Sequence, residues 1–224
     1  FQRITILSAG LRQKLSINKS KCNILPLGSD VLSNKTKSYN NLNLLYVGSL
    51  TNRNITETIQ GLSVFIESYS VCKTDISYDI FGFGTKEDTL NIQKTISDFN
   101  LSTVVKFHGR KKHSELVPYF DKCTIGISYV PLTPFFECQP PTKTFEYILS
   151  GLICLATDTY ENRQLINQNN GELCLDTPQS FSNGLYQIYS RRGQFQDETV
   201  RKTLNKHKWA DIVQNNLALY LNSF

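Results

Sequence analysis

The stretch Gln139-Pro-Pro-Thr-Lys-Thr-Phe-Glu-Tyr-Ile-Leu-Ser-Gly151 predicts a helix whose N-terminus is suited to meet an anion. Proline has no amide hydrogen and presets φ for a first helical turn, whereas glycine suits the position just past a helix end. The helix is therefore expected to run from about Pro141 or Thr142 to Ser150. The apolar run Leu152 to Ala156 follows, with the length of a buried parallel strand. A ligand at the helix start would then lie beside a sheet, where open α/β folds bind ligands.

The helix carries two charged residues, Lys143 and Glu146, whose placement has two interpretations. Phe145, Ile148 and Leu149 share one side and are expected to pack inward, which leaves the two charges on roughly the opposite side. As a solvated surface pair the charges would stabilise the helix by a few tenths of a kcal/mol. Alternatively, both side chains face a ligand.

The rest of the chain predicts a parallel sheet with crossover helices, an α/β fold of the Rossmann-like class. Apolar runs of strand length alternate with helical segments at about residues 44–47, 78–81, 104–107, 124–129, 152–156 and 172–175.

The clearest helix follows Arg53, because its apolar residues recur at spacings of four and three. These residues are Ile55, Ile59, Leu62, Ile66 and Tyr69. Asn54 followed by Glu57 fits a capping arrangement at its start. The polar, aperiodic segment Ser33 to Asn41 is expected to be a loop.

Composition excludes several classes of function. The 24 basic and 19 acidic residues leave a net charge of only +5, and the one tight basic run, Arg110 to Lys112, has no interleaved aromatic residues, so nucleic-acid binding is disfavoured. The six cysteines and three histidines show no spacing typical of zinc, so no metal site is predicted, and Cys154 and Cys174 in apolar runs indicate buried reduced thiols. No apolar stretch is long enough to span a membrane, and a cytoplasmic protein is expected.

Several segments together resemble a known family. "PPTKTFEYILSGLICLATDT", preceded by "ISYVPLTPFFECQ", resembles the donor-sugar motif region of the family 4 glycosyltransferases with the GT-B fold. Leu44 to Arg53 resembles the first strand and phosphate loop of that family's C-terminal domain, and Val105 to Gly109 resembles its F-x-G strand end. The resemblance extends from roughly residue 40 to the end of the chain. It implies the C-terminal, donor-binding half of a GT-B architecture.

The resemblance also implies a division of the chain. Segments 3–15 and 24–30 resemble the family's inter-domain passage, so residues 1–39 are expected to be that passage with a remnant of the N-terminal half, and residues 40–224 the nucleotide-sugar-binding domain. In the family, a carbohydrate or lipid-linked acceptor binds mainly to the N-terminal domain. The chain therefore resembles a shortened enzyme, which in its full-length form could associate peripherally with a membrane.

A sugar transferred from a nucleoside diphosphate leaves a diphosphate, whose developing charge must be stabilised. The chain contains no Asp-x-Asp motif to hold a metal ion. The resemblance implies a retaining enzyme, and the missing motif predicts that it needs no metal ion and no cofactor, so that fixed cations and helix N-termini bind the diphosphate. The residues in question are Arg53 and Lys143 as catalytic cations, with Gly48, Ser49, Pro141 and Thr142 offering backbone groups. Arg53 could instead be a plain surface cation.

The family's donor motif contains two glutamates, of which this sequence matches the second more closely than the first. Glu146 resembles the second, which contacts the ribose hydroxyls, a sound role for a carboxylate. In the family seven residues separate the two, whereas eight separate Glu137 from Glu146. Either a one-residue bulge places Glu137 near the donor sugar as a catalytic residue, or backbone groups around Phe135 to Gln139 take that role.

Further donor contacts are expected at two strand ends. Gly82 and Gly84 let the backbone approach a ligand closely or simply form a tight turn. A dinucleotide fingerprint would need a third glycine where Glu87 stands, so NAD binding is disfavoured. The segment containing His108, Gly109 and Arg110 resembles the one whose backbone meets the base.

Two other classes of function remain open from the sequence. One is a nucleotide-sugar epimerase or hydrolase with a GT-B-like fold, and the other is a non-catalytic interaction domain that has kept the fold. Fold analogy alone does not separate them. The combination of Arg53, Lys143 and Glu146 favours the transferase.

We expect purified residues 1–224 to bind a donor without transferring its sugar at an appreciable rate, because transfer requires donor and acceptor to be held together. Product analysis with candidate acceptors checks this. Robust transfer that is lost on substitution of Lys143 would contradict it and would place the acceptor site within this chain.

Overall fold

The computed structural model describes residues 4–222, and its main element is a six-stranded parallel sheet. The strands follow the order β5-β4-β3-β6-β7-β8. Their bounds are β3 Leu42–Ser49, β4 Ile76–Phe83, β5 Val105–Gly109, β6 Ile125–Ser128, β7 Ile153–Thr157 and β8 Gly171–Cys174. Each of the six predicted apolar runs coincides with one of these strands. The predicted α/β fold is confirmed.

Helices connect successive strands and cover the sheet. The connecting helices are α2 Ile55–Ser68, α3 Lys86–Asp98, α4 His113–Lys122, α5 Thr142–Leu149 and α6 Tyr160–Arg163. The last strand is followed by α7 Pro178–Ser190, α8 Asp197–Lys202, α9 Trp209–Ile212, a π-helical turn Val213–Leu217 and α10 Ala218–Leu221. Among residues 4–222, no helix is long and apolar enough to cross a membrane.

The order of the strands places a crevice at one point of the sheet. Chain order runs outward from β3 through β4 to β5 on one side, and through β6 and β7 to β8 on the other. The connections after β3 and β6 therefore diverge, and they open a crevice at the carboxyl ends of these two strands. The helix α5 follows β6 and packs on β6 and β7, so its N-terminus lies at this crevice.

In helix α2 the predicted apolar face is confirmed, but the predicted N-terminal cap is wrong. Ile55, Ile59, Leu62 and Ile66 are all buried. Asn54 has left-handed backbone angles, φ 50° and ψ 41°, and makes no side-chain capping hydrogen bond. A capping side chain reaches the first-turn amides from an extended backbone, so this conformation explains why the predicted capping arrangement is wrong.

Residues 4–24 form a small unit beside the main sheet. Strands β1 Ile4–Ile6 and β2 Cys22–Ile24 pair in parallel across the helix α1 Ala9–Lys14. A hydrogen bond of 2.6 Å, in which the Ser8 hydroxyl donates to the Glu161 carboxylate, ties this unit to the region after β7.

The segment Ser33 to Asn41 is a loop, as predicted, but it is anchored to the domain. Lys37 is buried and its amino group donates to the carbonyls of Phe120 and Asp121. Burial lowers the pKa of Lys37 to about 8, and the nearby Arg201 acts in the same direction. The Tyr39 hydroxyl donates to the carbonyl of Gly151 over 2.9 Å.

Helix α5 is more deeply buried than its sequence pattern predicts. Besides Phe145, Ile148 and Leu149, Thr144 and Tyr147 are fully buried. The Tyr147 hydroxyl accepts a hydrogen bond of 2.9 Å from the Val47 amide of β3. The Thr144 hydroxyl lies 2.7 Å from that of Ser128 and 3.0 Å from the amide oxygen of Asn162. These bonds fix the helix against β3, β6 and α6.

Six cysteines carry free thiols, and the predicted burial of Cys154 and Cys174 is confirmed, with Cys123 also buried. Burial raises the pKa of the Cys154 thiol to about 12, which leaves it uncharged at neutral pH.

Close contact between α5 and β6 depends on Gly126, because a Cβ there would lie 2.2 Å from the Tyr147 ring. We expect Gly126→Ala to destabilise the chain by about 1–3 kcal/mol, since the helix would have to move away from the sheet. Chemical denaturation of the purified variant measures this. Gly193→Ala is the matched control, because a Cβ at Gly193 meets nothing within 4 Å. Equal stability of the two variants would contradict the proposed role of this contact.

Candidate functional site

Lys143, in the first turn of α5, carries a buried amino group without a hydrogen-bond partner. The group lies 4.2 Å from the centroid of the Tyr46 ring, and a Cβ at Gly48 would lie 3.0 Å from it. Burial lowers the pKa of Lys143 to about 7; Arg53 acts in the same direction, and Glu146 opposes it. The alternative interpretation of Lys143 and Glu146 as a solvated surface pair is wrong, because the Lys143 amino group is buried and has no hydrogen-bond partner among the described residues. An unpaired, buried amine is costly unless a ligand completes its contacts.

Arg53 brings a second cation to the same place. It stands in the loop after β3, and its guanidinium lies 4.5 Å from the centroid of the Phe136 ring. Lys143 and Arg53 line one cavity of about 180 Å³, which we call the lysine cavity. Its other lining residues are Val130, Phe136, Gln139, Pro140, Pro141, Thr142 and Thr159. The two predicted cations therefore face a common space.

The N-terminus of α5 opens onto the lysine cavity. Pro141 occupies the capping position, and no side chain caps the first-turn amides. Pro141 and Thr142 line the cavity together with Lys143. The uncapped amides and the positive end of the helix dipole favour an anion at this position.

A second cavity, of about 240 Å³, lies on the other side of Gly48, and we call it the glycine cavity. It is lined by Val47, Gly48, Phe81, Gly82, Phe83, Arg110, Lys111, His113 and Leu116. The Arg110 guanidinium lies 5.2 Å from the centroid of the exposed Phe83 ring. Gly48 lines this cavity, and a Cβ at Gly48 would lie 3.0 Å from the Lys143 amino group, so Lys143 lies close to a wall of the glycine cavity as well as lining the lysine cavity.

Glu146 lies one turn along α5 from Lys143 and is half-buried. Burial raises the pKa of its carboxyl above the ordinary value, and Asp30 acts in the same direction. His113 and Lys143 lower it. His113 lines the glycine cavity and Lys143 the lysine cavity, whereas Glu146 is absent from both linings.

Glu137 is engaged away from the lysine cavity. Its carboxylate accepts a hydrogen bond of 2.9 Å from the Tyr160 amide, at the start of α6, and pairs with Arg163 at 3.5 Å. The backbone carbonyl of Glu137 also accepts from the Glu161 amide. These contacts fix the loop before α5 to α6, and Glu137 is absent from the residues that line the lysine cavity.

Four other predicted residues take different positions. The His108 imidazole lies 2.6 Å from the Asp79 carboxylate and stacks on Phe81, so its side chain braces β4 against β5. Gly109 has φ +69°, a conformation that favours glycine, and turns the chain toward Arg110. The Ser49 carbonyl accepts a hydrogen bond from the Tyr46 hydroxyl. Gly84 packs against Leu50 and Asp88 outside the lining of the glycine cavity.

Sequence reasoning missed three residues of the site. Tyr46 lies under Lys143, Phe136 lies under Arg53, and His113 lies near Glu146. Tyr46 could have been found, because residues two apart on a strand share a face and Gly48 was already singled out. Phe136 and His113 carry no comparable signal, since each comes from a different loop or helix.

A larger cavity of about 410 Å³ lies elsewhere, beside the segment that precedes β8. It is lined by Gln168, Asn169, Arg191, Gln194, Phe195, Gln196 and Thr199. The cavity lies near the amino end of β8, whereas the crevice between β3 and β6 lies at the carboxyl ends of the strands. Arg191 is already paired with Glu172. This cavity contains none of the predicted site residues.

Solved structures of similar fold include glycosyltransferases and a sucrose-phosphate synthase. The structure of Anabaena Alr3699/HepE in complex with UDP and glucose superimposes with a TM-score of 0.76 at 14% identity, over 100% of this chain and 64% of that one. A glycosyltransferase from Rickettsia africae ESF-5 gives 0.77 at 15% identity, over 98% and 62%. Sucrose-phosphate synthase from Thermosynechococcus elongatus gives 0.73 at 16% identity, over 98% and 58%. The chain thus spans about 60% of the length of these proteins.

No curated protein sequence matches the chain. A family model described as glycosyl transferases group 1 matches residues 41–191, which is more than half of the chain. This range includes every residue that lines the lysine cavity and the glycine cavity. The chain therefore belongs to the glycosyl transferases group 1 family.

Proposed function

We propose that this chain is the C-terminal, donor-binding domain of a family 4 glycosyltransferase that transfers a sugar from a nucleoside-diphosphate sugar to an acceptor. We further propose that transfer is retaining, independent of metal ions and part of glycan or polysaccharide biosynthesis. The observation that carries the proposal is the buried, unpartnered amino group of Lys143, which faces the same cavity as Arg53 at the start of α5.

An anionic ligand accounts for this arrangement better than a structural role does. Buried charges in proteins are normally paired, and an unpaired one is destabilising. Arg53 lies close enough to lower the pKa of Lys143 further, so the two cations repel each other. A diphosphate between them would relieve the repulsion and supply the missing acceptors. A non-catalytic domain would have no reason to retain both cations.

The same arrangement can stabilise the leaving group of a sugar transfer. As the bond between sugar and diphosphate breaks, negative charge develops on the diphosphate. Lys143 offers a compact charge and Arg53 a planar guanidinium with several donors, while the uncapped amides of α5 add hydrogen bonds. All three groups are fixed before the reaction, so little reorganisation is needed when the charge develops.

The glycine cavity is suited to the nucleoside. Phe81, Phe83 and Leu116 give it apolar walls, and Gly48 and Gly82 bring the backbone close. We propose that the Glu146 carboxylate, which is close enough to Lys143 and His113 for both charges to lower its pKa, accepts the two ribose hydroxyls. The complexes of Anabaena Alr3699/HepE with UDP and UDP-glucose are consistent with such a donor.

The acceptor, of carbohydrate or lipid-linked type, is proposed to bind mainly outside this domain. The related structures are longer than this chain, which spans about 60% of them. A cytoplasmic enzyme, with peripheral membrane association in the full-length protein, fits a nucleotide-sugar donor.

We expect a nucleoside diphosphate to stabilise the chain without added metal, because Lys143 and Arg53 supply the positive charge. A ligand at one hundred times its dissociation constant contributes about 2.7 kcal/mol, which corresponds to roughly 5–10 °C in Tm for a domain of this size. Thermal denaturation with millimolar UDP, GDP, ADP and TDP in the presence of EDTA measures it. A shift that appears only with magnesium would contradict metal independence, and no shift with any nucleotide would contradict donor binding.

Substitutions at the three charged residues should separate diphosphate from nucleoside recognition. We expect Lys143→Ala and Arg53→Ala each to weaken binding of a nucleoside diphosphate by about 1.5–3 kcal/mol and to leave nucleoside binding nearly unchanged. Glu146→Gln should weaken binding of the nucleoside and of the nucleoside diphosphate alike, because the proposed partner of Glu146 is the ribose, which both ligands contain. Isothermal titration calorimetry measures all three. Lys202→Ala, which removes an exposed cation of α8 paired with Glu198, is the control for net charge.

Lys143→Met should change stability and diphosphate affinity in opposite directions. The substitution keeps the volume of the side chain and removes a buried, unpaired amine, so we expect the ligand-free chain to become more stable by about 1–3 kcal/mol while diphosphate binding weakens as in Lys143→Ala. Urea denaturation without ligand measures the first effect. A large loss of stability would show instead that Lys143 is structural.

A further inference from the structure

Tyr46 contacts both parts of the candidate anion site. Its side chain is fully buried on β3, and its ring lies below the Lys143 amino group at 4.2 Å. Its hydroxyl donates to the carbonyl of Ser49, which begins the loop that leads to Arg53. One side chain therefore contacts a cation from α5 and the loop that carries the other cation.

Strand geometry explains how this contact is possible. Tyr46 and Gly48 are two residues apart on β3 and so face the same side of the sheet. A Cβ at position 48 would lie 3.0 Å from the Lys143 amino group and 3.2 Å from the Tyr46 hydroxyl. A side chain at position 48 would therefore crowd the amino group where it lies on the ring.

We propose that Tyr46 is a positioning residue for the donor diphosphate, an inference that rests on the proposed function. Its ring holds the protonated amino group of Lys143 over Gly48 before the donor binds, and its hydroxyl fixes the phosphate loop at Ser49. Tyr46 itself need not touch the donor.

The role of the ring follows from the charges around Lys143. The face of an aromatic ring attracts a cation, most strongly when the pair is shielded from water, so the ring favours the protonated amine. Burial and Arg53 favour the neutral amine instead. The other groups that act on Lys143 are Glu146 on the same helix and Cys154 on β7. Glu146 in turn is influenced by Asp30 and His113.

These opposing effects on Lys143 predict that its amine takes up a proton when the diphosphate binds. The free pKa of Lys143 is about 7, and a bound diphosphate would raise it because an anion stabilises the charged amine. Affinity should therefore be constant below the free pKa and fall as pH rises through it. Loss of the ring should move this fall to lower pH.

The experiment uses UDP-glucose, because its diphosphate diester has no ionisable proton near neutral pH. Calorimetric titrations from about pH 6 to about pH 8.5 should show the affinity of the unaltered chain falling about tenfold per pH unit above the free pKa. Tyr46→Leu should shift the fall by about one unit and lower affinity about tenfold above pH 7, with uridine affinity unchanged. Tyr46→Phe keeps the ring and should retain the pH profile of the unaltered chain.

Two further variants separate positioning from packing. Tyr78→Leu removes a fully buried tyrosine from the adjacent strand β4, where its hydroxyl lies 3.0 Å from that of Thr58, and it should leave the pH profile unchanged. Incorporating pentafluorophenylalanine at position 46 keeps the ring volume but reverses its attraction for cations. That variant should shift the profile as Tyr46→Leu does, and it answers the question if Tyr46→Leu does not fold.

The outcomes of these experiments test the role of Tyr46 separately from the proposed function. If the fluorinated ring and Tyr46→Phe give the same pH profile, or if Tyr46→Leu weakens uridine as much as UDP-glucose, Tyr46 does not position Lys143. Binding of UDP-glucose that depends on Lys143 would then still support the proposed function. If the unaltered chain binds no nucleotide sugar, both the proposed function and this inference are wrong.

Discussion

The candidate site depends on one contact, between the buried amino group of Lys143 and the ring of Tyr46 above Gly48. The amino group has no hydrogen-bond acceptor, and its burial lowers the pKa of Lys143 to about 7. An aromatic face offers attraction without consuming the donors of the amine. The N–H groups of Lys143 are thus not engaged by an acceptor, as they would be in an ion pair with a carboxylate.

The surrounding fold holds this contact in place. Tyr147 bonds the Val47 amide of β3 and packs where Gly126 has no side chain, while Thr144 bonds toward Ser128 and Asn162. Helix α5 is thereby fixed against three neighbouring elements. A helix N-terminus binds anions most effectively when it cannot move, since preorganised groups need no further ordering.

The unit formed by residues 4–24 is joined to the same region. Ser8 bonds Glu161 at the start of α6, and Glu137 holds the loop before α5 to α6 through the Tyr160 amide. Burial raises the pKa of the Glu161 carboxyl, which Ser8 opposes. The short helix α6 therefore links the N-terminal unit to the loop that lines the lysine cavity.

The sequence by itself determined the parallel sheet and the helix at Thr142–Leu149, because periodicity, proline and glycine placement act locally. Arg53 and Lys143 were expected at one site only through the resemblance to a known family, and both line the lysine cavity. Left-handed Asn54, the turn of Glu137 toward α6 and the contacts of Tyr46, Phe136 and His113 were decided only by tertiary structure. Each of these depends on which residues distant in the chain become neighbours when β3 and β6 pair. No spacing along the sequence encodes that approach.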